Sequence, residues 1–245
     1  GDFADGQVKY VGIRLDRHSP MAGMKLNDFS LKFGEDRPLI AAIIRKNEVI
    51  VPQGDNKIES GDLIYFVSET EKLEKMLTLF GKKIIPIQSA LIIGGGRIGE
   101  RLAKLFETDL IKTKIIESDI DRCHYLSERM GKTVVLHGDG SDQKLFLEEN
   151  VSQSDVVVSV TDDDETNILV SLLAKNMGVE NTITRIGKSN YFPLLATIGI
   201  EKVVSPRLSA VSSILKEVRK GKVLSDISIL GGQGEFIEAI ALETS

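Results

Sequence analysis

The run Leu91-Ile92-Ile93-Gly94-Gly95-Gly96-Arg97-Ile98-Gly99 leaves few folds open to this chain. An apolar strand enters a glycine turn, and the turn opens an amphipathic helix over residues 100–107, so the N–H groups at the helix start face outward as an anion site. The spacing predicts that Gly94 permits the tight turn, Gly96 lets the backbone approach a pyrophosphate, and Gly99 lets helix and strand lie close. A second strand, residues 113–116, ends in Glu117 about 20 residues on, where an acid holds a ribose diol and repels a 2′-phosphate. The order predicts NAD or an adenosine nucleotide as ligand in preference to NADP.

Around this turn, short apolar strands alternate with helical segments from residue 88 onward, the pattern of a doubly wound parallel sheet. The expected strands are residues 90–93, 114–116, 133–136, 155–160, 182–186 and 202–204. Gly131 and Gly178 follow two of the intervening helices, where a left-handed cap is commonly needed. The first third of the chain reads differently. A strand over residues 8–15, a turn at Ser19-Pro20, apolar stretches at 39–44 and 49–52 joined as a hairpin through 45–48, a strand at 63–67 after Gly61-Asp62, and a helix at 71–80 make a small α+β domain. The fold class is therefore α/β: a Rossmann-like doubly wound domain preceded by a small α+β domain. Expected boundaries are residues 1–81 for the small domain, 82–88 for a linker, 89–206 for the nucleotide domain and 207–230 for a helix and connection. A second copy of the small domain is expected to begin at 231–245, because Gly232-Gln233 ahead of a strand at 235–242 echoes Gly6-Gln7 ahead of the first strand.

At 245 residues the chain has material for two modest cores. No apolar run reaches the roughly 18 to 20 residues that span a bilayer, and no basic-then-apolar leader is present, so the expected location is the cytoplasm. A net charge of −5 argues against a general nucleic-acid binder. The basic cluster Lys216, Arg219, Lys220 and Lys222 is read as a solvated helix end. The single cysteine, Cys123, forms no internal disulfide and is expected to be buried or half-buried in a helix. The helix over 208–220 carries an apolar stripe, Ala210, Val211, Ile214, Leu215 and Val218, that needs another domain or another chain to cover it.

Candidate site residues follow the C-terminal ends of the sheet strands. After the third strand comes His137-Gly138-Asp139-Gly140-Ser141-Asp142. Asp139 either accepts from an adenine amino group or caps the next helix; spacing alone does not choose. After the fourth strand comes Thr161-Asp162-Asp163-Asp164-Glu165-Thr166-Asn167. Its acids are read as dipole partners of a helix start, with Thr161 or Asp162 as cap, rather than as a metal site, while Thr161 and nearby N–H groups remain within reach of phosphate or ribose. Arg185, in an apolar strand, needs a partner: Glu117, an acid of the 162–165 run, or a phosphate. Neither the histidines His18, His124 and His137 nor any acid pair forms a catalytic set, so no catalytic residue and no metal ligand is assigned.

Taken together, Gly94 to Gly99, Glu117, His137 to Asp142, Thr161 to Asn167 and Val203 to Pro206 resemble the motifs of the RCK/KTN (TrkA-N plus TrkA-C) family of regulators of potassium conductance and transport. The resemblance covers roughly residues 88–206 in its specific motifs; residues 8–80 are similar to the family's C-terminal domain on weaker grounds. The domain order implies the interior of a longer member that repeats the pair. The resemblance further implies NAD or NADH, or ATP or ADP, held at Gly94, Gly95, Gly96, Arg97, Ile98, Glu117, Thr161, Asp162 and Arg185 without turnover. It implies a non-enzymatic regulatory subunit, homo-oligomeric through paired RCK domains, at the inner face of the membrane beneath a potassium channel or transporter subunit of the TrkH type. Two other readings compete: an NAD-dependent oxidoreductase fragment, and a small-ligand sensor in residues 8–80, for example of a cyclic dinucleotide.

Overall fold

The computed structural model describes residues 2–3, 6–34, 37–46, 48–83, 85–200, 202–218, 223–229 and 234–239. The chain divides into two compact units, one of residues 86–211 and one of residues 1–85 with 212–245. Among the described residues no helix is long and apolar enough to cross a membrane.

The first unit is built on strands β1 (Asp2–Phe3), β2 (Val8–Arg14), β3 (Leu39–Arg45), β4 (Glu48–Ile50) and β5 (Leu63–Glu69), with helices α1 (Asn27–Phe33) and α2 (Leu73–Leu79). Its sheet is antiparallel throughout, in the order β1-β2-β5-β3-β4. The residue alternation of β5, with Ile64, Phe66 and Ser68 inward, sets one apolar face of that sheet. Leu15, Met21, Phe29, Ile43, Ile58, Ile64, Phe66, Met76 and Phe80 form the core. Asp62, 1 % exposed, is held by Arg45 through Nε and Nη2 at 2.8 Å each, a bidentate pair that makes burial of the carboxylate tolerable. The expected hairpin is tighter than its sequence suggests, because Arg45 and Glu48 are themselves a pair in the ladder. Helix α1 has no counterpart in the sequence reading; it is short, and Phe29 is its buried residue.

The second unit contains β6 (Ser89–Ile93), α3 (Arg97–Thr108), β7 (Lys112–Glu117), α4 (Ile120–Ser127), β8 (Val134–His137), α5 (Gln143–Glu148), β9 (Val156–Ser159), α6 (Asp164–Asn176), β10 (Thr182–Arg185), α7 (Phe192–Thr197) and β11 (Val203–Val204). All strand pairs are parallel, in the order β11-β10-β9-β6-β7-β8. Read from the other edge this is the doubly wound order, and the strand direction of winding reverses between β6 and β9. Leu91 and Ile93 pack with Val157, Val170 and Ala174 on one face, and Ile92 packs with Ala103, Ile115 and Leu126 on the other. Both faces are covered, which is why the central strands β6 and β9 read as nearly continuous apolar runs.

Helix α8 (Pro206–Val218) spans the division between the units, and strands β12 (Val223–Ile229) and β13 (Gly234–Ala239) pair antiparallel after it. The sequence reading expected one strand in this stretch, at 235–242. The basic cluster falls on side chains outside the described residues, as do Leu215 and Val218 of the apolar stripe.

Candidate functional site

The turn after β6 sits at the reversal of winding. Gly94 has φ +103°, a conformation that side chains disfavour, and its N–H donates to Ile116 O at 2.9 Å. A Cβ on Gly94 would stand 2.9 Å from Thr161 N. A Cβ on Gly95 would stand 2.5 Å from Leu126 Cδ1, and one on Gly99 would strike the carbonyl oxygen of Gly94. Gly96 differs. It caps α3 with φ −62°, is exposed, and a Cβ there would meet nothing within 4 Å. Backbone contacts thus require glycine at 94 and 99, a Cβ at 95 would displace the Leu126 side chain, and the glycine at 96 is left unexplained by internal packing.

Below the turn lies a cleft of about 440 Å³ formed by the C-terminal ends of β6, β7, β8 and β9. Of the residues expected at the site, Gly94, Gly96, Glu117, Asp139, Thr161 and Asp162 line it. Gly95 and Gly99 are buried behind the turn, Arg97 and Ile98 are exposed on the first turn of α3, and Arg185 stands behind Thr161. A larger hollow of about 610 Å³ opens at the opposite ends of the strands, among Ser89, Lys112, Thr113 and Val134. None of the glycines of the turn lines it, so size does not make it the better candidate.

Each carboxylate has a definite occupation. Glu117 accepts from Gly95 N–H at 2.7 Å through Oε2 and from Asp119 N–H at 2.9 Å through Oε1, so it is already bonded to the backbone as well as exposed to the cleft. Asp139 accepts from the N–H and hydroxyl of Ser141, both at 2.8 Å, which holds its carboxyl below the usual range. Helix α5 is capped by Asp142, so the capping alternative for Asp139 falls. Helix α6 is capped by Asp163, which accepts from Thr166 N–H at 2.7 Å; neither Thr161 nor Asp162, the expected caps, does so. A short side chain one residue nearer the helix reaches that N–H better. Asp164, buried, accepts from the N–H groups of Gly187 and Lys188, and Glu165 pairs with Lys188 and Tyr191. The acids of this run are spent on structure, and among the described residues no group of side chains is arranged to hold a metal.

Arg185 finds the second of its three expected partners. Its Nη1 donates to Thr161 O and to Asp162 Oδ1, the latter at 3.1 Å. Cys123 is 6 % exposed, and burial, then the charges of Glu117 and Asp119, push its thiol pKa up. Such a thiol is a poor nucleophile.

Two residues have roles that the sequence reading did not assign, one of them, Asn167, a named member of the run after the fourth strand. Asn167, fully buried on α6, accepts from the N–H and hydroxyl of Thr161 and donates to Thr161 O and Arg185 O. Its signal was available: it shares a stripe with Val170, Ser171 and Ala174, and an amide on a buried stripe must find partners. Arg122, on α4, donates from Nε to Gly95 O at 2.7 Å and from Nη2 to Glu100 at 2.7 Å. A cation on a half-exposed helix gave no such signal.

Comparison with known proteins adds to this geometry. Residues 90–206 match the TrkA-N domain model and residues 10–81 the TrkA-C domain model. The Trk system potassium uptake protein TrkA of Halomonas elongata is 35% identical over 240 residues, covering 98% of this chain and 52% of its own length. A TrkA homologue of Methanosarcina mazei, its homolog 1, is 36% identical over 244 residues, covering 99% of this chain and 59% of its own. The chain thus spans about half the length of the curated relatives it matches, and by name these are potassium uptake proteins. Among solved structures, the GsuK RCK domain superposes with TM-score 0.56 at 19% identity over 87% of this chain and 45% of its own. A GsuK channel bound to NAD also gives TM-score 0.56, at 19% identity over 87% of this chain and 37% of its own. These likenesses show the fold.

Proposed function

Because this chain belongs to the TrkA-N/TrkA-C family, we propose that it is a regulatory module of a potassium uptake system, binding NAD(H) or an adenine nucleotide in the cleft of its second unit. The observation that carries the reading is Gly96. Among the described residues nothing lies within 4 Å of where its Cβ would stand, and it stands at the N-terminus of a helix beside the cleft, where an anion replaces missing hydrogen-bond acceptors.

In this reading the pyrophosphate sits on the N–H groups at the start of α3, with Arg97 and Ile98 beside it. The ribose diol reaches Glu117, whose carboxylate keeps acceptor capacity beyond its two backbone bonds. Asp139 meets the adenine edge. Thr161 and Asp162, braced from behind by Asn167 and Arg185, close the side toward β9. None of these groups is a general base set over a reacting atom, so the ligand acts by binding. A ligand of that kind regulates only as far as it binds two conformations with different affinity. The module would sit on the cytoplasmic side, assembled with further copies of its own domains and with a membrane potassium transporter subunit of the TrkH type.

Titration calorimetry with NAD, NADH, ADP and ATP tests the reading. At least one of the four is expected to bind, with NADH left unconsumed on incubation with simple carbonyl compounds. Steady NADH consumption would favour the oxidoreductase alternative, and failure of all four to bind would remove the nucleotide reading.

A further inference from the structure

The peptide between Gly95 and Gly96, like the one before it, has little means of holding its own orientation. Glycine on both sides leaves its flanking dihedrals with the widest freedom any residue pair allows. Yet both polar groups of Gly95 are taken by side chains from a neighbouring strand and helix: its N–H donates to Glu117 Oε2 at 2.7 Å, and its C=O accepts from Arg122 Nε at 2.7 Å. Among the described residues, Arg122 is the donor that this carbonyl has.

A trans peptide is planar, with its C=O and N–H pointing in opposite directions. Drawing Gly95 O toward α4 therefore turns the Gly96 N–H away from α4, at a residue that lines the cleft and starts α3. Arg122 is itself fixed. Its Nη2 donates to Glu100 Oε2 at 2.7 Å, and its guanidinium lies 4.5 Å from the centre of the Tyr125 ring. Glu100 belongs to the first turn of α3, so one guanidinium ties the turn and the helix it opens to α4. It does not line the cleft.

We propose that Arg122 is a positioning residue for the ligand's phosphate: by holding the Gly95 carbonyl it fixes the Gly95–Gly96 peptide with its N–H available to a phosphate oxygen. The inference rests on the nucleotide reading of the cleft. A phosphate-bearing ligand benefits from the prearranged donor, and a ligand without phosphate does not.

The test uses the full chain as wild type, Arg122→Ala and Arg122→Lys, with ADP and adenosine as probes and selective ¹⁵N-glycine labelling to follow the Gly96 amide. Arg122→Ala is expected to weaken ADP about tenfold, the size of one charge-assisted hydrogen bond, and to leave adenosine within about twofold of wild type. ADP should shift the Gly96 amide resonance in wild type and lose that effect in Arg122→Ala. Arg122→Lys keeps one donor and the packing of the stem, and should retain ADP affinity to within about threefold even if the alanine variant folds poorly. Equal losses for ADP and adenosine, or an unchanged ADP affinity with an unchanged Gly96 shift, would overturn the assignment. Failure of wild type to bind ADP or any other nucleotide would instead refute the reading of the cleft.

Discussion

Single atoms decide what the glycine turn tolerates. A methyl group at Gly99 meets the Gly94 carbonyl oxygen, whereas a methyl group at Gly96 meets nothing within 4 Å. Gly99→Ala is therefore expected to destabilise the chain by about 1–3 kcal/mol in urea unfolding, the usual cost of overpacking. Glu117 answers to two duties. Glu117→Ala removes the acceptor of the Gly95 N–H as well as the proposed diol partner, and should weaken NAD more than Glu117→Gln, whose amide oxygen still serves one N–H; equal affinity of wild type and the alanine variant would sink the ribose assignment. Glu107 offers a pH test outside the site. Partial burial pushes its pKa up, but hydrogen bonds from Lys132 N–H, the Thr133 hydroxyl and N–H, and Gly131 N–H outweigh this and bring it to about 2. The folded-state pKa lies below the unfolded value of about 4.3, so the stability it contributes is complete above that pH and is lost as pH falls toward the folded value. Glu107→Gln should lower the melting temperature at neutral pH and flatten its dependence on pH in that acid window.

At the scale of elements, what the sequence reveals depends on whether an element answers to local pattern or to distant partners. The parallel strands β6 and β9 were legible because burial on both faces leaves nearly uninterrupted apolar runs, whereas β7 was placed from Ile115-Ile116 and the acid that follows them. The start of α6 was legible as a helix start, but not in its detail. Four consecutive acids all satisfy the same local rule, and only the fold decides that Asp163 caps, Asp164 pins the Gly187–Lys188 backbone and Asp162 meets Arg185. Helix α1 was missed because it is short and buries one phenylalanine, too little for a periodic signal. Glu117, Asp139 and Thr161 could be placed at the cleft from the strand-end rule, whereas Arg122 could not, because its partner Gly95 lies 27 residues away. Asn167 is the joint of α6 with β9 and β10. Asn167→Ala leaves the Arg185 carbonyl and the Thr161 N–H without their partner, and should cost about 2–4 kcal/mol by denaturant unfolding; a loss below 0.5 kcal/mol, on the order of a surface substitution, would show that the joint is dispensable.

For the molecule as a whole, each unit has its own core, and three large apolar residues of α8 among the described ones are left over. Leu208, Val211 and Ile214 are exposed in the single chain, Ile214 at 60 %. Covering each such side chain contributes roughly 1.5–3 kcal/mol, which favours a second copy of the chain as its partner. Asp at both Val211 and Ile214 should lower the oligomeric state seen by light scattering without unfolding the second unit; an unchanged assembly would exclude this helix from the interface. Nucleotide binding in the cleft is tested by Gly96→Val, at a position where a Cβ meets no described atom within 4 Å. Calorimetric titration of wild type and Gly96→Val with NAD and ADP, each protein first matched for melting temperature, should give binding to wild type and none to the variant. Equal binding by both would place the phosphate away from the glycine turn and contradict the account.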